Sequence, residues 1–298
     1  MNKNLILNKF IKKEIKKNLL SSYGFFKRFI LYPNNFLQTI NCFILRKLNL
    51  NKFVITNTFW GRKMLVVLPE VVSSDICRFG FIESSVARSI IKFVSKDDVV
   101  IDIGAHFGFF TLLMADLVGP NGEVHSFEPI PNTFKILEKN VDNFANIKIN
   151  KNAIWQFNEI LYLNDYGLNS SAFNSYREPR GLKQKKINRV KVKAINLDEY
   201  INQKKINPRF IKIDAESTEY EVLLGMDFIL KEIKPVICLE IGDLGVAGAI
   251  KSKNVIEYIL NYGYEVFEFN NLDLCKHKLK DTYNYGNLVF QHLQELKL

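Results

Sequence analysis

Asp98-Val-Val-Ile-Asp102-Ile-Gly104-Ala-His106-Phe-Gly108-Phe-Phe-Thr111 decides the fold class. Its first half, Val99–Ile103, is a short β-branched run of the kind buried on both faces of a parallel sheet. Glycines at 104 and 108 break the run. The apolar residues from Phe109 to Leu117 then predict a helix that stops at Gly119-Pro120-Asn121-Gly122. Strand, glycine turn and helix open a doubly wound α/β sheet, in which ligands bind beyond the carboxyl ends of the strands. A dinucleotide fold places G-x-G-x-x-G at this turn to seat a pyrophosphate. Here the pattern is D-x-G-x-x-x-G. A carboxylate two residues before the first glycine suits a cation better than a phosphate. Asp102 is therefore expected to hold, directly or through water, the ammonium of an amino-acid-like ligand such as S-adenosylmethionine. Gly104, Ala105, His106 and Gly108 form the expected wall of that site, with a plain turn glycine at 104 as the alternative.

Glu128 ends the next strand, Val124-His-Ser-Phe-Glu128-Pro129, 24 residues after Gly104. An acid about 20 residues beyond the glycine turn is where such folds grip a ribose diol. Glu128 and Pro129 are expected at that position, against the alternative of a solvated strand end. A third cluster is Phe210-Ile-Lys212-Ile-Asp214-Ala-Glu216-Ser-Thr-Glu219-Tyr-Glu221. Asp214 lies at the end of a strand and should face the same cleft. Methyl transfer from a sulfonium needs an in-line nucleophile about 3–3.5 Å away and, for a hydroxyl, a base to take its proton. Asp214 is the first choice for that base, with Glu216 beside it. Glu219 and Glu221 read as acids that favour a helix N-terminus.

Working outward, strands are predicted at Val124–Phe127, Ile147–Asn150, Val190–Ala194, Phe210–Asp214, Val236–Ile241, Glu265–Phe269 and Leu288–Phe290. Helices are predicted at Asn132–Val141, Leu197–Gln203, Tyr220–Leu230 and Asn254–Tyr262. Asn152–Ile154 and Ile160–Leu163 look extended, and 165–188 reads as a long loop, a length usually tied to function. No helix separates the last two strands, so an antiparallel hairpin is expected at one sheet edge.

The 298 residues, 47% hydrophobic and 24% charged, fit one large or two small globular domains and exclude a disordered or fibrous chain. The longest unbroken apolar run, Met64–Leu68, is five residues, far short of the roughly 20 that span a bilayer. No signal peptide is visible, so the chain is expected in the cytoplasm. Four scattered cysteines and four histidines show no metal-ligand spacing, and no protein-built metal site is expected. The net charge of +10 is unevenly placed: Met1–Thr56 holds eleven Lys or Arg residues and one acid, Glu14. Leu7, Ile11, Ile15 and Leu19 recur every fourth position with lysines between them, and Phe36, Leu37, Ile40, Phe43, Ile44 and Leu48 make a second stripe. Residues 1–57 therefore read as a basic amphipathic extension before a catalytic unit at 58–298. Residues 1–52 would meet an anionic membrane surface at the inner membrane face, or pack on the domain with their lysines solvated.

DIGAHFGFFTLLMADLVGPNG (102–122), FEPIPNTFKILEKNV (127–141) and IKIDAESTEYEVLLG (211–225), with TFWGRKMLVVLPE (58–70) and the pair Ser170-Ser171, resemble the FkbM family of S-adenosylmethionine-dependent methyltransferases. The resemblance spans Thr58 to Phe290 and leaves the basic segment outside. It implies a Rossmann-like methyltransferase sheet, mostly parallel with helices on both faces. It also implies S-adenosyl-L-methionine as methyl donor and O-methylation, commonly of sugars in glycans, lipids or secondary metabolites. Ala153, with Ile154 and Trp155, would line the adenine, and His106 would orient the acceptor. Arg177, Arg180 and Lys183 of the long loop would cover an anionic acceptor, or serve as solvated charge. The family usually has D-x-E-G where this chain has Asp214-Ala-Glu216-Ser217. Losing that glycine removes easy access to positive φ. Two other functions stay open: a nucleic-acid-binding or nucleic-acid-modifying protein using the basic tail, though no recognisable RNA motif is present, and a non-catalytic S-adenosylmethionine-binding module.

Overall fold

Aliphatic runs separated by helical periods set the order of elements in the computed structural model, which describes residues 2–31, 33–177, 187–243 and 245–294. Helices α1 (Lys3–Ser22), α2 (Phe25–Leu31) and α3 (Pro33–Leu48) precede a hairpin of β1 (Lys52–Asn57) and β2 (Lys63–Leu68), then α4 (Val71–Phe79) and α5 (Ser84–Phe93). Next come β3 (Val99–Ile103), α6 (Phe109–Val118), β4 (Glu123–Phe127), α7 (Pro131–Val141) and β5 (Ile147–Asn150). They are followed by β6 (Ala153–Ile154), β7 (Glu159–Asp165), β8 (Asn188–Ile195), α8 (Leu197–Lys204), β9 (Phe210–Ile213) and α9 (Glu219–Leu224). The chain continues with β10 (Val236–Ile241), α10 (Ser252–Leu260), β11 (Tyr264–Asn270), β12 (Asp273–Lys276) and β13 (Gly286–His292).

The main sheet has eight strands in the order β12-β11-β13-β10-β9-β3-β4-β5. β5, β4, β3, β9 and β10 run parallel, while β13, β11 and β12 add antiparallel pairings. β9 and β10 are buried along their whole length, because helices cover both faces and no face is left for polar alternation. α5, α6 and α7 pack on one face; α8, α9 and α10 pack on the other. The chain leaves β3 toward β4 and β5, then returns on the opposite side at β9. That reversal opens a crevice at the carboxyl ends of β3 and β9.

One expected helix is corrected. The predicted helix Tyr220–Leu230 breaks at Gly225, where a Cβ would stand 2.4 Å from the Trp155 carbonyl oxygen, and a π-helical turn resumes at Ile229–Ile233. The expected antiparallel pair, β11 with β13, lies at one end of the sheet, with β13 beside β10 and β12, four residues with no alternating signal, added at the outer edge. The extended segments at 152–154 and 160–163 leave the main sheet and form a second one, ordered β6-β8-β7. Within the expected loop, Leu168–Phe173 forms a 3-10 turn, while Arg180 and Lys183 lie outside the described residues.

The basic segment, read as meeting a membrane surface or packing on the domain, packs on the domain along α1. α1 buries Ile6 and Phe10 in the main core. Phe10 meets Phe59 and Phe81 edge-on, each at 5.2 Å, so the aromatic ring, not the Leu7-Ile11-Ile15-Leu19 stripe, selects the inward face; Ile15 and Leu19 are exposed. Glu14 pairs with Arg88, Lys3 Nζ donates to the Lys92 and Val94 carbonyls, and Lys17 pairs with Asp75. Much of this helix's charge is therefore spent on the domain. Among the described residues no helix is long and apolar enough to cross a membrane.

Candidate active site

Lys212, in the middle of apolar β9, is where the site is built from. Its ammonium is buried and donates to the Gly104 carbonyl at 2.9 Å. It lies 3.0 Å from Asp214 Oδ2 and 3.6 Å from Asp102 Oδ1. Burial works against its charge, but Asp214, Asp102 and Glu83 overcome that and hold it above the ordinary lysine range. The lysine thereby staples the turn after β3 to the turn after β9.

Asp102 is not at the ligand surface where the sequence placed it. It is wholly buried, and its Oδ2 accepts from Thr111 Oγ1 at 2.6 Å. Burial raises its pKa, against the charge of Lys212. Its carboxylate is a counter-ion beneath the cavity floor, not a direct ammonium contact. Gly104 has φ +74, and a Cβ there would lie 1.9 Å from the Asp214 carbonyl oxygen. The glycine is required by the approach of two backbones, not by ligand space. Gly108, φ +91, starts α6 and would drive a Cβ to 2.7 Å from Leu137 Cδ1; it is a packing glycine and does not line the cavity.

Above this floor lies a cavity of about 730 Å³, within the range of small-molecule sites. Ala105, His106, Glu128, Pro129, Ala153 and Trp155 line one end. Glu128, at the end of β4, accepts the His106 N–H on Oε2 and the Ile130 N–H on Oε1, both at 3.0 Å. Burial still pushes its pKa up to about 8. Trp155 packs against Tyr176 with ring centres 5.0 Å apart. His106 shares a 2.8 Å hydrogen bond between Nε2 and Ser171 Oγ. Burial pushes its pKa down to about 3, so the ring is neutral at physiological pH and too weak a base for the proton-accepting role. It remains a polar wall residue.

Glu83, Asp214, Glu216 and Tyr285 line the other end. Glu216 and Ser217 both adopt left-handed backbone, φ +49 and +72. Ser217 thus keeps the conformation that glycine supplies in the resembled motif. Its neighbours over-determine it. Glu219 Oε1 accepts the N–H groups of Ala215 and Ser217 at 3.0 and 3.2 Å, Thr218 Oγ1 donates to the Ala215 carbonyl at 2.7 Å, and Arg177 Nη1 donates to the Ser217 carbonyl at 2.6 Å. Arg177 lines the cavity and also pairs with Glu221, so its guanidinium is committed to securing this turn. Left-handed non-glycine residues cost about 1–3 kcal/mol each when held in place. Ser217→Gly is expected to raise stability by about 1 kcal/mol, once glycine's own entropy cost is subtracted. Urea unfolding would check it, and a loss of stability would show that the serine is unstrained.

Two residues of this wall were missed. Lys212 had a signal, a lysine inside an otherwise apolar strand. Glu83 had none, since it lies ahead of every motif block except 58–70. It sits at φ +37 before α5 without capping the helix, and its Oε2 is buried with no hydrogen-bond partner. Burial, then the charge of Asp214, raises its pKa to about 7, while Lys212 and Asn287 pull the other way. Burial and Asp214 push Glu216 well above the usual carboxylate range, and Glu240 behind them is raised in the same way. Among the described residues, no group of His, Cys, Asp or Glu is placed to hold a metal ion.

Residues 102–266, more than half of the chain, match the methyltransferase FkbM domain family. Over 162 residues the chain is 28% identical to the hexuronic acid methyltransferase AglP of Haloferax volcanii, covering 52% of this chain and 61% of that protein. It is 25% identical over 174 residues to methyltransferase 1 of Beauveria bassiana, 51% of this chain and 69% of that one. The crystal structure of an FkbM methyltransferase from Methylobacillus flagellatus aligns with a TM-score of 0.43 at 17% identity, covering 66% of this chain and 44% of its own. The chain thus spans less than two thirds of the length of the archaeal relative.

Proposed function

Since this chain belongs to the FkbM methyltransferase domain family, we propose that it transfers a methyl group from S-adenosyl-L-methionine to a hydroxyl of a saccharide, glycolipid or related metabolite. The observation that carries the reading is a single cavity with two chemically distinct ends. At one, the Glu128 carboxylate is fixed by two backbone N–H groups with lone pairs left for a ribose diol, beside the apolar and aromatic wall of Ala153, Ile154 and Trp155 that suits adenine. At the other, among the described residues, Glu83, Asp214 and Glu216 line the cavity while the cations Lys212 and Arg177 are already paired with carboxylates, a field that favours a sulfonium and its ammonium over any phosphate. When bound, the donor supplies a methyl carbon on a sulfonium with a neutral leaving group.

The chain's own residues then have to orient the acceptor hydroxyl and take its proton. Asp214 already has one oxygen on Lys212, and His106 is too weak a base. Glu83 lines the cavity beside Asp214, its pKa raised to about 7, near the working pH where a general base is most effective. We assign the proton-accepting role to Glu83, with Asp214 and Asp102 raising its basicity by their charge. The same carboxylates repel an anionic acceptor, and Lys212 is already paired. Methyl glycosides of neutral hexoses should therefore be better acceptors than those of hexuronates, although the archaeal relative is named for a hexuronic acid. A preference for hexuronates would overturn that assignment of substrate class.

Calorimetry tests donor binding. Burial raises the Glu128 pKa to about 8, and the ionised form accepts two ribose hydroxyls more strongly than the neutral acid, so binding should be accompanied by proton release at neutral pH. Affinity should rise with pH through about 8 and then level off. Glu128→Ala should weaken binding about 10- to 100-fold, the value of one charge-assisted bond, and Glu128→Gln should abolish the proton release. No heat with S-adenosylmethionine or S-adenosylhomocysteine, together with clear binding of NAD, would overturn the proposal.

A further inference from the structure

α3 is built inside out for a surface helix. Its polar side faces the domain: Cys42 Sγ lies 3.4 Å from Ser74 Oγ, and Arg46 Nη2 donates to the Pro69 carbonyl at 3.1 Å. Its opposite side carries Leu37, Ile40, Phe43, Ile44 and Leu48, all between 42% and 63% exposed. At 100° per residue these positions cluster on the side turned away from Cys42. An ordinary surface helix buries such a stripe and shows its polar face to water. The apolar surface continues through exposed Leu50 to Phe53 and Ile55, which share one face of β1, and exposed Ile30 and Leu31 end α2.

Charge decides what covers this face. No Asp or Glu occurs between Ile15 and Pro69, whereas Lys27, Lys47 and Lys52 are exposed around the apolar residues. A two-fold pairing of copies would set the same bases against each other. A nucleic acid would neutralise the bases but leave the apolar residues in water. A bilayer with anionic headgroups satisfies both at once. We propose that the outer face of α2, α3 and β1 docks on an anionic lipid bilayer. Leu37, Ile40, Phe43, Ile44 and Leu48 enter the headgroup boundary and the surrounding bases meet lipid phosphates. This narrows the sequence expectation, because Lys3, Lys9 and Lys17 of α1 are committed to the domain. The face also adjoins the cavity wall. Asn169 Nδ2 donates to Asn49 Oδ1 at 3.4 Å just beyond α3, and the turn that holds Asn169 contributes Ser171 and Ala172 to the cavity. The docking inference does not depend on which reaction the cavity supports.

The full chain would be sedimented with vesicles of phosphatidylcholine alone and of phosphatidylcholine mixed with phosphatidylglycerol. Binding should appear only with the mixture and fade as salt rises above about 0.15 M, where the screening length is already near 8 Å. The exposed double variant Phe43→Ser/Ile44→Ser should lower vesicle partitioning at least about tenfold with an unchanged circular dichroism spectrum and melting point. Lys47→Glu/Lys52→Glu should lower it as well, at low salt most of all. Absence of binding, or equal binding to both vesicle types, overturns the proposal. A dimer in equilibrium sedimentation that Phe43→Ser/Ile44→Ser disperses would assign the face to a second copy, and salt-sensitive RNA binding without vesicle binding would assign it to nucleic acid.

Discussion

Gly104→Val is expected to leave no measurable donor binding. The Cβ of any residue at 104 would stand 1.9 Å from the Asp214 carbonyl oxygen, and that obstacle is backbone, which cannot rotate away. The β3 and β9 turns would have to separate by more than an ångström. The 2.9 Å bond from Lys212 to the Gly104 carbonyl would be lost, along with the register of Ala105 and His106 against Glu128. The valine also meets φ +74, an additional 1–2 kcal/mol or so for a residue with a Cβ. A displacement of about 1 Å at a binding site commonly costs 100-fold, and here both walls move. Asp102→Asn is the control. It touches no ligand surface but leaves Lys212 with one counter-charge fewer, so its cost should fall on stability, up to about 3 kcal/mol, while the donor dissociation constant changes little. Calorimetry and urea unfolding on both variants check this. If Asp102→Asn loses donor binding at unchanged stability, the carboxylate contacts the ligand through water after all.

The contrast between these two residues shows what a sequence conveys. The fold was legible because the central strands are mostly apolar runs and the turn after β3 carries glycine, signals that survive without knowledge of partners. Val99–Ile103, Ile147–Asn150 and Val236–Ile241 form strands with those same limits. β12 escaped because Asp-Leu-Cys-Lys has neither length nor alternation, and it pairs only because β11 offers an edge. The site was legible where a strand end projects a side chain into the crevice, as at Glu128 and Asp214. It was misread at Asp102, because a motif states which residue follows a strand but not which side of the floor its carboxylate reaches. α1 failed for a related reason: two apolar stripes one residue apart compete, and only the ring of Phe10 between Phe59 and Phe81 decides. Glu83 needed the tertiary fold, since 131 residues of chain separate it from Asp214, the carboxylate whose charge it shares.

Glu83→Gln is expected to lower turnover by about 10²- to 10⁴-fold, the contribution of a positioned base, with the donor dissociation constant unchanged. Gln keeps the shape and the contact with Asn287 but cannot accept a proton. The sign of the pH dependence follows from the role. A base works ionised, so turnover in the native protein should rise with pH through about 7 and then level off, and Glu83→Gln should lose that limb. The surroundings supply a second, independent test. Lys212 and Asn287 favour the ionised form, while Asp214 and Asp102 oppose it and Glu216, Glu240 and Tyr285 stand nearby. Removing a negative neighbour lowers the proton affinity of Glu83. Asp214→Asn should therefore move the limb to lower pH without deleting it, at some cost in rate because Lys212 loses its closest partner. Single-turnover methyl transfer to a neutral hexose glycoside, measured across pH 5 to about 9, separates the cases. A limb that survives in Glu83→Gln but disappears in Asp214→Asn would return the base to Asp214. A limb lost only in Glu216→Gln would place the proton acceptor on the strained turn, two residues beyond the end of the strand.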